Sequence, residues 1–177
     1  INPQDTVALG NLGNLHLHHQ RIAEARLCLE RAEALAGLTP ALESLLIHIL
    51  SSEGEFDVAI SLQEKVLEKN PKNAENHYNL GVLLARSQQH TSAEECFQRA
   101  IFQRPAYREA WHNLGQLQAR SGRLKEAIFS FKRALLLLPG DPATISTLVD
   151  VLIQSDRASD AEEEAKRGLI VTPGAVL

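Results

Sequence analysis

Apolar residues fall at helical spacing along this chain, and the pattern renews itself every 34 residues. Across 109–120, Trp111, Leu114, Leu117 and Gln118 recur at intervals of three, three and one. Across 124–137, Leu124, Ala127, Ile128, Phe131, Ala134 and Leu135 mark a second helical face. Ser121, Gly122 and Arg123 interrupt the two and supply a turn. The spacing therefore predicts a helical hairpin. Pro139 closes its second helix, since proline lacks the N–H and disfavours helix at the residue before it. Pro142 opens the next helix, where a missing donor costs nothing.

The same columns run the length of the chain. Leu12, Leu46, Leu80, Leu114 and Leu148 form one, and Ala25, Ala59, Ala93, Ala127 and Ala161 another. Pro3, Pro71, Pro105, Pro139 and Pro173 form a third, with Gly37 in its gap. The register divides the chain into 6–39, 40–73, 74–107, 108–141 and 142–175, with 1–5 as the tail of a preceding copy and 176–177 as the start of a further segment. A lone hairpin cannot bury its apolar face, so such a period predicts a stack in which each unit leans on its neighbours. Gly115 and Ala127 are expected where the helices of one hairpin cross. Ala134 is expected where the second helix meets the next unit. Trp111 and Phe131 fill the space nearby.

Charge and composition narrow the function. A net charge of −4 argues against a nucleic-acid binder built on phosphate contacts. No apolar run approaches the roughly 20 residues that membrane insertion needs. The absence of Met and the start at Ile1 lead us to expect a piece of a longer protein. Cys28 and Cys96 share a column two copies apart, roughly 20 Å for helix pairs about 10 Å thick, so they are expected as buried thiols and not as a disulfide. Free thiols suit a reducing, cytoplasmic setting. His16, His18 and His19 cluster without a Cys or carboxylate at ligand spacing. We expect no metal and no cofactor there, with His16 and His19 on one helical face and His18 on another. No phosphate-binding glycine loop or nucleophile elbow appears, and the expectation is a protein that is not an enzyme. Glu94, Glu95 and Glu162, Glu163, Glu164 fall on second helices, where solvated charge is expected.

Trp111, Leu114, Gly115, Ala127, Phe131, Ala134 and Pro139 resemble the tetratricopeptide-repeat signature, spacing included. Leu80, Gly81, Ala93, Phe97, Ala100 and Pro105 repeat it, with His77 in place of Trp. Leu12, Gly13, Ala25 and Ala32 carry it more weakly. The second and fifth copies are degenerate: Glu43 and Ile145 replace Trp, Ile47 and Val149 replace Gly, and Gln63 and Ala165 replace Phe. Glu43 and Gln118 are polar where the family is usually apolar, which puts local packing in question. The resemblance covers 6–175. It implies an all-α, right-handed α-solenoid of stacked antiparallel helical hairpins, whose first helices line a concave groove. It also implies binding of a peptide or partner protein without catalysis.

On that register, Asn11, Asn79 and Asn113 share a groove column, each within an Asn-Leu-Gly triplet, and Leu45 and Thr147 interrupt it. An Asn amide offers donors and an acceptor, so it can hold the main chain of an extended peptide whatever its sequence. Arg86 and Arg120 share a second column, and Tyr78, His112 and Gln116 are expected to face the same space. The two guanidiniums could grip a carboxylate or serve as cations favoured at helix C-termini. Glu75 and Glu109 flank the face and temper its positive field. The lysine clamp by which some members of this family hold chaperone tails is missing, with Val7 and Gly10 in its place. The main expectation is therefore an interaction scaffold. The alternatives are a substrate-docking module of a larger enzyme, such as a glycosyltransferase or sulfotransferase, and self-assembly through terminal edges, where Ala161, Ala165, Leu169 and Ile170 are expected to lie open.

Overall fold

The computed structural model describes residues 3–171, with side chains from 5 to 168. Ten helices occur among the described residues: α1 (Pro3–His18), α2 (Ile22–Ala36), α3 (Pro40–Glu53), α4 (Phe56–Lys69), α5 (Ala74–Arg86), α6 (His90–Gln103), α7 (Arg108–Arg120), α8 (Leu124–Leu137), α9 (Pro142–Gln154) and α10 (Ala158–Val171). The hairpin read from 109–120 and 124–137 is α7 and α8. The fold is the all-α solenoid type, built from successive helical hairpins. The contacts fall into two compact units. One holds the chain up to Pro71 together with Val82–Gln89, and the other holds Lys72–Gly81 together with His90 onward. Leu169 and Ile170, expected at an open edge, have side chains outside the described residues, as does all of 172–177.

Helix starts follow local chemistry. Thr39 caps α3 by accepting from Leu42 N at 3.4 Å, and Asp141 caps α9 by accepting from Thr144 N at 3.2 Å. Pro40 and Pro142 occupy the first turn in each case. Pro3 likewise falls in the first turn of α1, upstream of the column boundary at Thr6.

Every hairpin turn uses a left-handed residue at the same column: Gln20 (φ 58°), Gly54 (83°), Gln88 (65°), Gly122 (73°) and Asp156 (56°). Only two of these are glycine, and each of the other three carries a left-handed cost of about 1–2 kcal/mol. Gln88→Gly is therefore expected to raise stability by roughly 0.5–1 kcal/mol, after the entropy that glycine adds to the unfolded chain is subtracted. Gly122→Ala is expected to lower it by a similar amount. Urea midpoints that moved in the opposite directions would show that the turns are not limited by this backbone angle.

In the first unit, Ala25, Leu29, Ala32, Leu42, Leu45 and Ile49 form one core. Leu45, read as a gap in the asparagine column, is fully buried. Its side chain reaches Gly13, where an added β-carbon would lie 2.7 Å from Leu45 Cδ2. Leu29 stands where the third and fourth copies carry Phe97 and Phe131, and Leu45 occupies the room an aromatic ring would take. Leu12 is 42% exposed, whereas Leu114 and Leu148 in its column are buried. Leu12 instead lines an open groove between α1 and α2, with Ala8, Leu9, Ala34 and Leu35.

In the second unit, Ala127, Ile128, Phe131, Leu148, Val151, Leu152 and Ala161 form a core across α8, α9 and α10. Phe131 lies against Gly115, where an added β-carbon would stand 2.9 Å from the ring. Phe97 lies against Gly81 in the same way, at 2.7 Å. The glycines thus mark helix crossings filled by phenylalanine.

The polar residues at apolar columns have partners. Gln118 is buried, and its Oε1 accepts from Ser130 Oγ at 2.7 Å. Glu43 receives Lys69 Nζ at 2.9 Å. The solvated reading fails for two of the second-helix glutamates. Glu94 is half-buried and ion-paired with Arg123, and Glu164 is only 9% exposed, with Lys132 at 3.6 Å and Arg167 at 3.4 Å. Cys28 and Cys96 are buried thiols, not joined in a disulfide.

Candidate binding face

Helix α7 presents two faces. Ala110, Leu114, Leu117 and Gln118 are buried against neighbouring helices. Glu109, Asn113, Gln116 and Arg120 follow one another at intervals of four, three and four, which places them in a stripe on another side. From Glu109 to Arg120 this stripe runs roughly 16 Å at 1.5 Å per residue. Its ends carry opposite charge. Glu109 is held by Arg108 at 2.7 Å, and Arg108 also reaches Asp141 at 3.2 Å. Arg120 is exposed and makes no ion pair among the described residues.

The amides along the stripe retain bonding capacity. Asn113 Nδ2 donates to Tyr78 Oη at 3.3 Å, which leaves its second N–H and its carbonyl. Gln116 and, on α5, Asn79 are half-buried and without a hydrogen-bonding partner among the described residues. Asn79 and Asn113 both lie in the second unit, one 34-residue period apart.

Tyr78 and His112 contribute less open surface than their columns suggest. The Tyr78 ring packs on Tyr107 (centroids 4.9 Å apart) and Phe97 (5.8 Å), so only its hydroxyl serves the face. Burial pushes the Tyr78 phenol up, against the opposing effect of the Asn113 hydrogen bond. His112 lies edge-on to Phe131, and its Nδ1 lies 2.8 Å from Thr144 Oγ1. Burial pushes the His112 imidazole down, partly offset by Asp141, so the ring favours its neutral form. Its nitrogen is already engaged, and it acts as a wall of the site.

Arg86 and Asn11 belong to the first unit. Arg86 donates to Ser51 and stands 5.2 Å from the Phe56 ring centroid, a cation–π contact. Sequence columns did not disclose these partners, although an aromatic at Phe56, just after the turn, was the available signal. Asn11 is exposed on α1. His19 lies past the end of α1, so its ring stacks on His18 at 5.6 Å instead of sharing a helical face with His16. No group of three His, Cys, Asp or Glu is placed to hold a metal among the described residues. No described helix is long and apolar enough to cross a membrane.

Comparison with known proteins agrees with the architecture. Tetratricopeptide-repeat family models match residues 50–120 and 108–141. The anaphase-promoting complex subunit CDC16 of Saccharomyces cerevisiae is 27% identical over 112 residues, which are 59% of this chain and 13% of that protein. The chain thus spans only a small part of this relative. Among solved structures, Pseudomonas aeruginosa pilF superposes with a TM-score of 0.82 at 20% identity, covering 98% of this chain and 78% of the other. MamA from Desulfovibrio magneticus RS-1 gives 0.74 at 19% identity, covering 93% of each. At these identities the structural likeness speaks to fold alone.

Proposed function

The chain belongs to the tetratricopeptide-repeat family, whose members are protein-interaction scaffolds, and from that premise we propose that the α5–α7 face of the second unit binds an extended segment of a partner protein. The observation that carries this reading is the set of open amides. Asn79, Asn113 and Gln116 are half-buried; two have no partner among the described residues, and one uses a single N–H. A half-buried amide with free donors and acceptors gains from a peptide backbone, which supplies both groups at every residue. Arg120 supplies an unpaired fork at one end of the stripe. It favours a carboxylate in the bound segment near that end, while Glu109 disfavours one at the other. Together they give the bound segment a direction.

The test starts from 12-residue peptides selected on the intact chain by display. Asn79→Ala with Asn113→Ala is expected to weaken the selected peptides by roughly 30-fold, as loss of about 2 kcal/mol of hydrogen bonding requires. Arg120→Ala is expected to reduce the preference for acidic residues in the selected set. Unchanged affinity in the double variant, with helicity intact by circular dichroism, would remove this face from the function.

A further inference from the structure

Helices α8 and α10 of the second unit flank a cleft of about 410 Å³, floored by Leu135, Pro139 and Ile145 and rimmed by Lys132, Glu164 and Arg167. That volume lies within the range of pockets that hold small molecules. The same place one period earlier is filled. Subtracting 34 turns Ile145 into Trp111, Pro139 into Pro105 and Arg167 into Arg133. There the Trp111 indole donates through Nε1 to Pro105 O at 2.9 Å, and the Arg133 guanidinium lies 5.5 Å from the ring centroid. The later copy keeps the proline and the arginine and lacks the aromatic. It is also smaller at two further positions, with Ala165 in the column of Phe131 and Gly168 in that of Ala134.

We propose that this cleft is a receptor for a flat aromatic side chain bearing an N–H, namely a tryptophan presented by a partner. The neighbouring hairpin supplies the template for each part of the recognition. The floor offers apolar surface, the carbonyl of Pro139 offers the acceptor that the corresponding carbonyl gives Trp111, and Arg167 offers positive charge to the electron-rich face of the ring. An aromatic quadrupole matches that charge, and an aliphatic side chain does not. Arg167 is 64% exposed and tied to Glu163 and Glu164 at the rim, and Lys132, 3.6 Å from Glu164, keeps that buried carboxylate paired when Arg167 folds over an incoming ring. The glutamate at Glu163 stands in the column of Phe129, which packs edge-on to Trp111 at 5.9 Å. The cleft is therefore open on that side to a ligand entering from solvent. This receptor is independent of the asparagine face, because it rests on different residues.

The probe is N-acetyl-tryptophanamide, titrated into the intact chain with the Ile145 methyls observed by NMR, and N-acetyl-leucinamide is the control. Saturable shifts at Ile145 with a dissociation constant near the millimolar range are expected for the tryptophan amide, and at least tenfold weaker binding for the leucine amide. Ile145→Trp should abolish the binding and raise the thermal midpoint, because the chain then fills its own cleft. If that variant folds poorly, Arg167→Glu is the second test and is expected to weaken binding at least tenfold with helicity unchanged. Absence of a saturable shift at Ile145, equal binding of the leucine amide, or unchanged binding in Arg167→Glu would each overturn the proposal.

Discussion

Phe131→Ala is expected to destabilise the second unit by about 3–5 kcal/mol, the usual cost of emptying a fully buried aromatic site. Phe131 is 0% exposed and belongs to the cluster that joins α8, α9 and α10. Helices around it cannot readily collapse into the gap, because Leu148, Val151 and Leu152 are themselves held in that cluster. The glycine opposite makes the prediction sharper. Gly115→Ala places a β-carbon about 2.9 Å from the ring, so in the native background it is expected to cost about 1–3 kcal/mol. In the Phe131→Ala background the ring is gone, and the same change should stabilise by up to about 1 kcal/mol through helix propensity. The sign of the Gly115 substitution therefore inverts with residue 131. A double-mutant cycle from urea unfolding, with cooperativity checked because hairpin arrays unfold in parts, measures this. Equal effects of Gly115→Ala in both backgrounds would mean that the crossing is not set by this contact.

Such crossings were legible in the sequence because they repeat. Gly81 against Phe97 and Gly115 against Phe131 keep the same offset, and a period of 34 turns each into evidence for the other. Helices α7 and α8 could be bounded on the same grounds. What escaped depended on departures from the period. The left-handed turn column is hidden at Gln20, Gln88 and Asp156, where the side chain gives no sign of the angle. Leu45 was read as an interruption of a surface ladder, yet the smaller Leu29 nearby leaves room that draws it inward. Position on a second helix predicts a solvated Glu164, yet it lies 3.6 Å from Lys132 on α8. In the candidate face, residue types and columns were readable. Which groups remained free was not, since the Tyr78 hydroxyl, Thr144 and Ser51 claim Asn113, His112 and Arg86 across distances of 35, 32 and 35 residues. A column assigns a side chain to a surface, but only packing tells whether its bonds are already used.

The buried pair between Gln118 and Ser130 shows how a departure from the family pattern is compensated, and it yields the second large effect. Ser130 is 1% exposed and Gln118 is 5% exposed, so neither can turn to water. Ser130→Ala removes the donor 2.7 Å from Gln118 Oε1 and leaves a buried carbonyl without it. The expected loss is about 1–3 kcal/mol, more than the net value of an ordinary hydrogen bond, because the stranded acceptor carries its full desolvation cost. Gln118→Leu with Ser130→Ala removes both polar groups and restores an apolar residue at an apolar column. It is expected to lie within roughly 1 kcal/mol of the native chain or above it. The fifth copy supports that outcome: 34 residues on, Leu152 occupies the column of Gln118 and is fully buried. Urea midpoints of the single and double variants decide the matter. A double variant as unstable as Ser130→Ala alone would show that the glutamine holds the hairpin by its shape and not through this bond.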